Sequence, residues 1–191
     1  TVFVTIASEG VHEEYFKMMS NSLKKFHPDI PLLRWDKKKI DTYDDPHFML
    51  RSTPIIMNEL KDKYDLIIQL NSEQIITGTL DYILKGDYDM AIPYNYNRVD
   101  PIKYGAITCW DIPVFLYYNL GTFAVHSRRL IEHFYRLVNS YHFSYYQYRE
   151  QDIMNILAYY GDYKVKALDE YDPKTQHSAW YGLRSKGEWH H

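Results

Sequence analysis

The sequence has almost no cysteine, no long apolar run and no excess of positive charge. Cys109 is the only cysteine among 191 residues, so an intrachain disulfide is excluded and the reducing cytoplasm is the expected location. No apolar run reaches the roughly 20 residues of a membrane-spanning helix, and we expect neither a transmembrane segment nor a signal peptide. The formal net charge is −3. Without a basic stripe to neutralise phosphates, nucleic acid is not an expected partner.

Aromatic residues are abundant instead. The chain has 20 tyrosines and is 17% aromatic, within a composition of 46% hydrophobic and 25% charged residues that is typical of a folded protein. Aromatic faces pack cores, and they also stack on bases and on the apolar faces of sugars. No Pro/Gly/Ser-rich stretch divides the chain, so we predict one domain over residues 1–191. The missing initiator Met and the terminal His190 and His191 leave room for a truncated flank at the C-terminus.

Short apolar runs alternate with segments of helical spacing. The runs predict strands at residues 2–7, 31–35, 64–70, 88–93, 121–125 and 165–168. Helices are predicted between them at residues 15–26, 48–63 with an interruption near Pro54, 79–84, 128–139 and 151–159. Residues 36–45 are predicted as a loop and residues 95–111 as an irregular segment. This alternation predicts an α/β fold with a mostly parallel sheet between layers of helices.

A polar turn follows the third predicted strand. Asn71, Ser72 and Glu73 end that strand at its carboxyl end, where open α/β sheets bind their ligands. The amide oxygen of Asn71 and the carboxylate of Glu73 are ligand types suited to magnesium or manganese. The alternative is a polar strand-to-helix turn whose side chains bond the local backbone.

Three segments resemble GT-A glycosyltransferases, especially the glycogenin-like family and its bacterial galactosyltransferase relatives. Residues 64–84, YDLIIQLNSEQIITGTLDYIL, are similar to the family's strand-DxD-helix segment. Residues 118–125, YNLGTFAV, are similar to its Asn-x-Gly strand, and residues 150–155, EQDIMN, to its Asp-Gln-Asp-x-x-Asn block. The three segments occur in the family's order, and the resemblance extends from about residue 2 to about residue 168.

The resemblance implies a nucleotide diphosphate sugar as donor, with a UDP-sugar expected, and Mn²⁺ or Mg²⁺ as cofactor. The two acids of the family's metal motif are matched here by Asn71 and Glu73, so the site loses one charge and we expect weak metal binding that depends on the donor. The resemblance implies a histidine near the C-terminus as third ligand, and the sequence does not decide whether His177, His190 or neither has this role. The resemblance places donor contacts at Thr5, Ala7, Ser8, Arg51, Asn71, Ser72, Asn119 and Gly121.

The resemblance also implies transfer of a hexose to an acceptor hydroxyl with retention of anomeric configuration. The acceptor, whether glycan, lipid or protein, is not identified by the sequence. Gln151, or Glu150 beside it, would lie beneath the sugar and steady the oxocarbenium-like state, with Asp152 in the same block. The leaving phosphate would take the acceptor proton, so no dedicated general base is expected.

Structural roles are the alternatives for most of these residues. Glu150 and Asp152 are also typical first-turn acids that stabilise a helix, and Gly121 is typical of close strand packing. Arg51 is equally compatible with a phosphate contact and with a solvated helix surface. For the whole chain, a non-catalytic sugar-nucleotide or glycan binder is the alternative function. A nucleotidyltransferase is disfavoured because no Gly-rich phosphate loop follows the first strand.

Overall fold

A computed structural model describes residues 1–7, 10–95 and 103–168, and the backbone of residues 180–182. The strands are β1 (Val2–Ile6), β2 (Leu32–Trp35), β3 (Ile67–Gln69), β4 (Gln74–Ile76), β5 (Met90–Pro93), β6 (Phe123–Val125), β7 (Val165–Leu168) and β8 (Trp180–Gly182). Six of them form one sheet in the order β2-β1-β3-β6-β5-β7. Within it β6 runs antiparallel to both neighbours, and every other neighbouring pair is parallel. The predicted α/β class with a mostly parallel sheet is confirmed.

Helices cover both faces of this sheet. They are α1 (Val11–Phe26), α2 (Lys37–Asp41), α3 (Ser52–Leu60), α4 (Asp81–Leu84), α5 (Gly105–Trp110), α6 (Arg128–Val138) and α7 (Arg149–Tyr160). Side chains alternate along β1, so that Val2 and Val4 pack with α3, α6 and α7 while Phe3 packs with α1 and α4. The resulting cores on the two faces hold the sheet between two helical layers.

Helix α6 shows how the sequence determines an element. Ser127 precedes the helix, and its side chain accepts a hydrogen bond from the Leu130 N–H at 3.3 Å. Leu130, Ile131, Phe134 and Val138 are buried at helical spacing, which gives the helix one apolar face toward the sheet. The helix predicted at this position is confirmed.

Several elements differ from the sequence predictions. Helix α2 lies in a predicted loop, because the Asp36 carboxylate accepts the Lys39 N–H at 2.9 Å and caps the first turn. Pro54 does not interrupt α3, because it lies in the first turn, where its missing N–H removes no helical bond. Helix α5 lies in the segment predicted to be irregular. Strand β4 was not predicted, and its partner β8 is distant in sequence.

Candidate functional site

A cleft of about 450 Å³ opens at the carboxyl ends of β1 and β3. Its floor includes Ile6, Gln69 and Leu120, and the first turns of α3 and α7 contribute to its walls. The described residues that line it are Ile6, His12, Met49, Leu50, Ser52, Thr53, Gln69, Leu70, Asn71, Ser72, Asn119, Leu120, Gly121, Gln147, Tyr148, Arg149, Glu150 and Gln151. This is the edge of the sheet at which open α/β folds bind ligands.

Polar side chains in the first two turns of α7 hold the segment that leads into β6. The Gln151 side-chain oxygen accepts the Leu120 N–H at 3.1 Å. Asn155 is fully buried, and its amide accepts the Tyr118 N–H at 2.7 Å and donates to the Tyr118 carbonyl at 3.0 Å. These bonds fix the backbone of residues 118–120 beside the cleft.

Asp152 points away from the cleft and caps α5. Its carboxylate accepts the Gly105 and Ala106 N–H groups and the Tyr117 hydroxyl, each at 3.0 Å. The residue is fully buried, and burial raises the pKa of its carboxyl above the ordinary value. Gly105 also packs against Tyr146, since a Cβ there would lie 2.6 Å from the ring. The Asp152 carboxylate therefore bonds groups of the protein, and two of them are the first N–H groups of α5.

Glu150 joins α7 to the N-terminus of α3. Its carboxylate accepts the Thr53 N–H at 3.0 Å, and the partly buried side chain also lines the cleft. Burial raises the pKa of the carboxyl from its ordinary 4.5 to about 7, against the lowering effect of the bond from Thr53. At neutral pH the group is therefore divided between its acid and its carboxylate forms.

The turn after β3 brings two of its three predicted residues to the cleft. Asn71 and Ser72 line the cleft, whereas Glu73 is not among its lining residues. The Asn71 side-chain oxygen accepts the Glu73 N–H at 3.3 Å, and the Gln74 side-chain oxygen accepts the Asn71 N–H at 3.0 Å. The Glu73 carboxylate lies 3.9 Å from Nδ1 of His12. Asn71 therefore bonds the local backbone and lines the cleft at the same time.

Several solved structures of similar shape are glycosyltransferases. One is the galactosyltransferase LgtC in complex with donor and acceptor sugar analogues, with TM-score 0.61, 16% identity, and coverage of 87% of this chain and 73% of that one. A glycosyltransferase involved in glycosylation of the major capsid of PBCV-1 gives TM-score 0.60, 10% identity and coverage of 91% and 84%. The glycosyltransferase GlyE of Streptococcus pneumoniae TIGR4 gives TM-score 0.55, 14% identity, and coverage of 88% of this chain and 46% of that one.

The chain has a glycosyltransferase fold. At these identities the likeness establishes the fold alone. No protein-family model matches the sequence, and no curated protein sequence matches it. Across the described residues, none of the helices combines the length and the apolar character that crossing a membrane requires.

The described residues include only part of the metal site that the resemblance implies, namely Asn71 and Glu73. The Asn71 oxygen is turned toward the Glu73 N–H, and the Glu73 carboxylate lies beside His12. Within the described ranges, no three His, Cys, Asp or Glu side chains are grouped closely enough to hold a metal ion. His177 and His190, the two candidates for a third ligand, lie outside the described residues.

Two further predicted donor contacts lie in the cleft. The Asn119 side-chain oxygen accepts the Gly121 N–H at 2.7 Å, and both residues are part of the lining. A Cβ on Gly121 would lie 2.9 Å from that oxygen, so a larger residue would displace Asn119. The conformations of Asn119 and Gly121, in the segment before β6, therefore depend on each other.

The remaining predicted donor residues lie elsewhere or outside the described ranges. Thr5 and Ala7 are buried at the end of β1 and do not line the cleft. Ser8 lies outside the described residues. Arg51 pairs with Asp45 at 2.5 Å, donates to the Asn139 side-chain oxygen at 2.8 Å, and lines a second hollow of about 380 Å³. Whether any of these residues contacts a donor stays a prediction.

Several polar lining residues were not predicted from the sequence, among them His12, Gln69 and Arg149. His12 is the second residue of α1, directly after the loop that leaves β1, and this position in a strand-loop-helix unit was a usable signal. Arg149 precedes the block of residues 150–155 and was overlooked for that reason. Gln69 was predicted only as part of a buried strand, and it is the last residue of β3.

Proposed function

We propose that this chain transfers a sugar from a nucleotide diphosphate donor to an acceptor hydroxyl, with retention of anomeric configuration. The observation that carries the proposal is the convergence of three amides, those of Asn71, Asn119 and Gln151, on one cleft at the carboxyl ends of β1 and β3. Amide groups at an otherwise partly apolar cleft suit the hydroxyls of a sugar, because each amide both donates and accepts hydrogen bonds. A glycosyltransferase fold around that cleft makes sugar transfer the best-supported chemistry.

Gln151 is the residue we place beneath the reacting carbon. One of the similar structures is an active-site glutamine-to-glutamate variant of LgtC, and Gln151 lies in the block that resembles the family's Asp-Gln-Asp segment. Its oxygen is held by the Leu120 N–H, which fixes the amide at the cleft wall. An uncharged amide is a weak nucleophile, so its role is to steady developing positive charge on the sugar. The leaving diphosphate then receives the acceptor proton.

A non-catalytic sugar-nucleotide binder is the second candidate. Asn71 favours it, because an amide stands where the resembling family has an acid. The divalent metal implied by the resemblance, weakly bound and dependent on the donor, stays a prediction. Both candidates require donor binding in the cleft, and only the first requires turnover.

Thermal unfolding with a panel of UDP-hexoses and UDP-N-acetylhexosamines, combined with a hydrolysis assay, separates the candidates. A ligand at about 100 times its dissociation constant stabilises the native state by about 2.7 kcal/mol, which for a chain of this size raises Tm by roughly 5–10 °C. Gln151→Ala is the control, expected to keep the Tm increase and to lose hydrolysis. A Tm increase without turnover in the native chain supports the binder, and no increase with any donor or nucleoside diphosphate rejects both candidates.

A further inference from the structure

Three helices begin at the cleft. His12 is the second residue of α1, Ser52 and Thr53 open α3, and Arg149 opens α7, and all four residues line the cleft. These helices have 16, 9 and 12 residues, which is long enough for each N-terminus to carry a partial positive charge. The walls of the cleft therefore attract negative charge before any side chain is considered.

Arg149 adds a full positive charge to this lining. One terminal nitrogen of its guanidinium donates to the Ser144 carbonyl, and its Nε has no hydrogen-bond partner among the described residues. A planar guanidinium binds phosphate oxygens through two parallel N–H groups, and it keeps its charge at every physiological pH. The imidazole of His12 lines the same cleft.

Negative charge at the cleft is small by comparison. Of the described residues that line it, Glu150 is the one acid, and its carboxylate already accepts the Thr53 N–H. Burial raises the pKa of Glu150 to about 7, so at neutral pH it carries less than one full charge. Glu73 lies outside the lining, beside His12. Among the described residues, a divalent cation would thus meet few anionic ligands, whereas a diphosphate would meet the Arg149 guanidinium and three helix N-termini.

We infer that the diphosphate of the sugar nucleotide is bound in this cleft by Arg149, His12 and the N-termini of α1, α3 and α7, without a divalent metal ion. This inference rests on the proposed function, because it concerns the donor of the same site. It also explains how the chain tolerates Asn71 where the resembling family has an acid: the protein itself supplies the positive charge that a metal would bring.

Calorimetric titration of UDP into the protein tests the inference, once with Mn²⁺ and once with EDTA. We expect dissociation constants within about threefold of each other under the two conditions. With EDTA present, Arg149→Gln should weaken UDP binding at least about tenfold. Arg149→Lys should recover only part of the affinity, because lysine keeps the charge but lacks the two parallel N–H groups of the guanidinium. Arg128→Gln is the matched control, since Arg128 lies in α6, pairs with Asp62 at 3.7 Å and does not line the cleft.

The gain of a metal response provides a second measurement. Asn71→Asp adds a carboxylate beside the cleft, so Mn²⁺ should tighten UDP binding to this variant and not to the native chain. If Mn²⁺ tightens binding to the native chain more than about tenfold and Glu73→Ala removes that effect, the inference is overturned while the proposed function stands. If UDP and UDP-hexoses fail to bind under both conditions, the proposed function falls together with the inference.

Discussion

Glu150 makes the stability of the α3–α7 junction depend on pH. Its carboxyl is partly buried between the two helices and accepts the Thr53 N–H, and burial raises its pKa from 4.5 to about 7. An acid with a raised pKa holds its proton more tightly in the native state than in the unfolded chain. Its contribution to stability is therefore complete below about pH 4.5 and is lost as the pH rises through about 7.

The size of this effect follows from the gap between the two pKa values. At about 1.4 kcal/mol for each pH unit, the gap from 4.5 to about 7 sets a ceiling of roughly 3–4 kcal/mol. Solvent screens a partly exposed group, so we expect roughly 1–2 kcal/mol. Burial lowers the pKa of His27, which titrates in the same range with the opposite sign. A difference between a variant and the native chain removes that contribution, because both contain His27.

Glu150→Gln isolates the carboxyl, because glutamine keeps an oxygen for the Thr53 N–H and cannot ionise. Urea unfolding at about pH 5 and about pH 8 should show a variant close to the native chain at the lower pH and more stable by roughly 1–2 kcal/mol at the higher pH. Glu14→Gln is the control, since Glu14 is exposed on α1 and should give the same difference at both pH values. An equal effect of Glu150→Gln at both pH values would refute burial of this carboxyl as the cause.

Three other substitutions give distinct expected results. Asn155→Ala removes both bonds to Tyr118 and leaves those backbone groups buried, so the free energy of unfolding should fall by about 2–4 kcal/mol in urea titration. Gly105→Ala forces a Cβ against the Tyr146 ring and should cost about 1–3 kcal/mol in the same assay, with a smaller loss indicating that the ring moves aside. Gln151→Ala should lower the rate at saturating donor by at least about tenfold and change donor affinity little, and an unchanged rate would remove Gln151 from the mechanism.

Local sequence predicted the elements whose causes are local. Strand β1 and helix α6 were predicted because their burial patterns are written in consecutive residues. Helix α2 was missed although its cap is also local, because a short polar helix without buried residues resembles a loop in composition. The polar character of a segment is thus a weak argument against a short helix.

Helix α5 was missed for a different reason, because its stabilising contact comes from far along the chain. The carboxylate that accepts its first N–H groups belongs to Asp152 in α7, and its packing depends on Tyr146. Strand β4 likewise pairs with β8, more than a hundred residues later. No pattern within residues 95–111 or 71–77 contains this information, so only the folded chain reveals it.

In the site, the sequence likewise indicated where important residues lie but not what each side chain contacts. The block of residues 150–155 was found from its resemblance, yet its side chains face in different directions once α7 forms. Glu150 reaches α3, Gln151 reaches the segment before β6, and Asp152 reaches α5. Successive residues of a helix are about 100° apart around its axis, so three adjacent polar residues serve three different neighbours. The first turn of α7 thus fixes three separate backbone segments, of which those at Thr53 and Leu120 line the cleft and that of α5 does not. Each of the three side chains therefore has a packing role whether or not it has a chemical one. Measuring both the rate and the stability of variants of Gln151 and Asp152 separates the two roles.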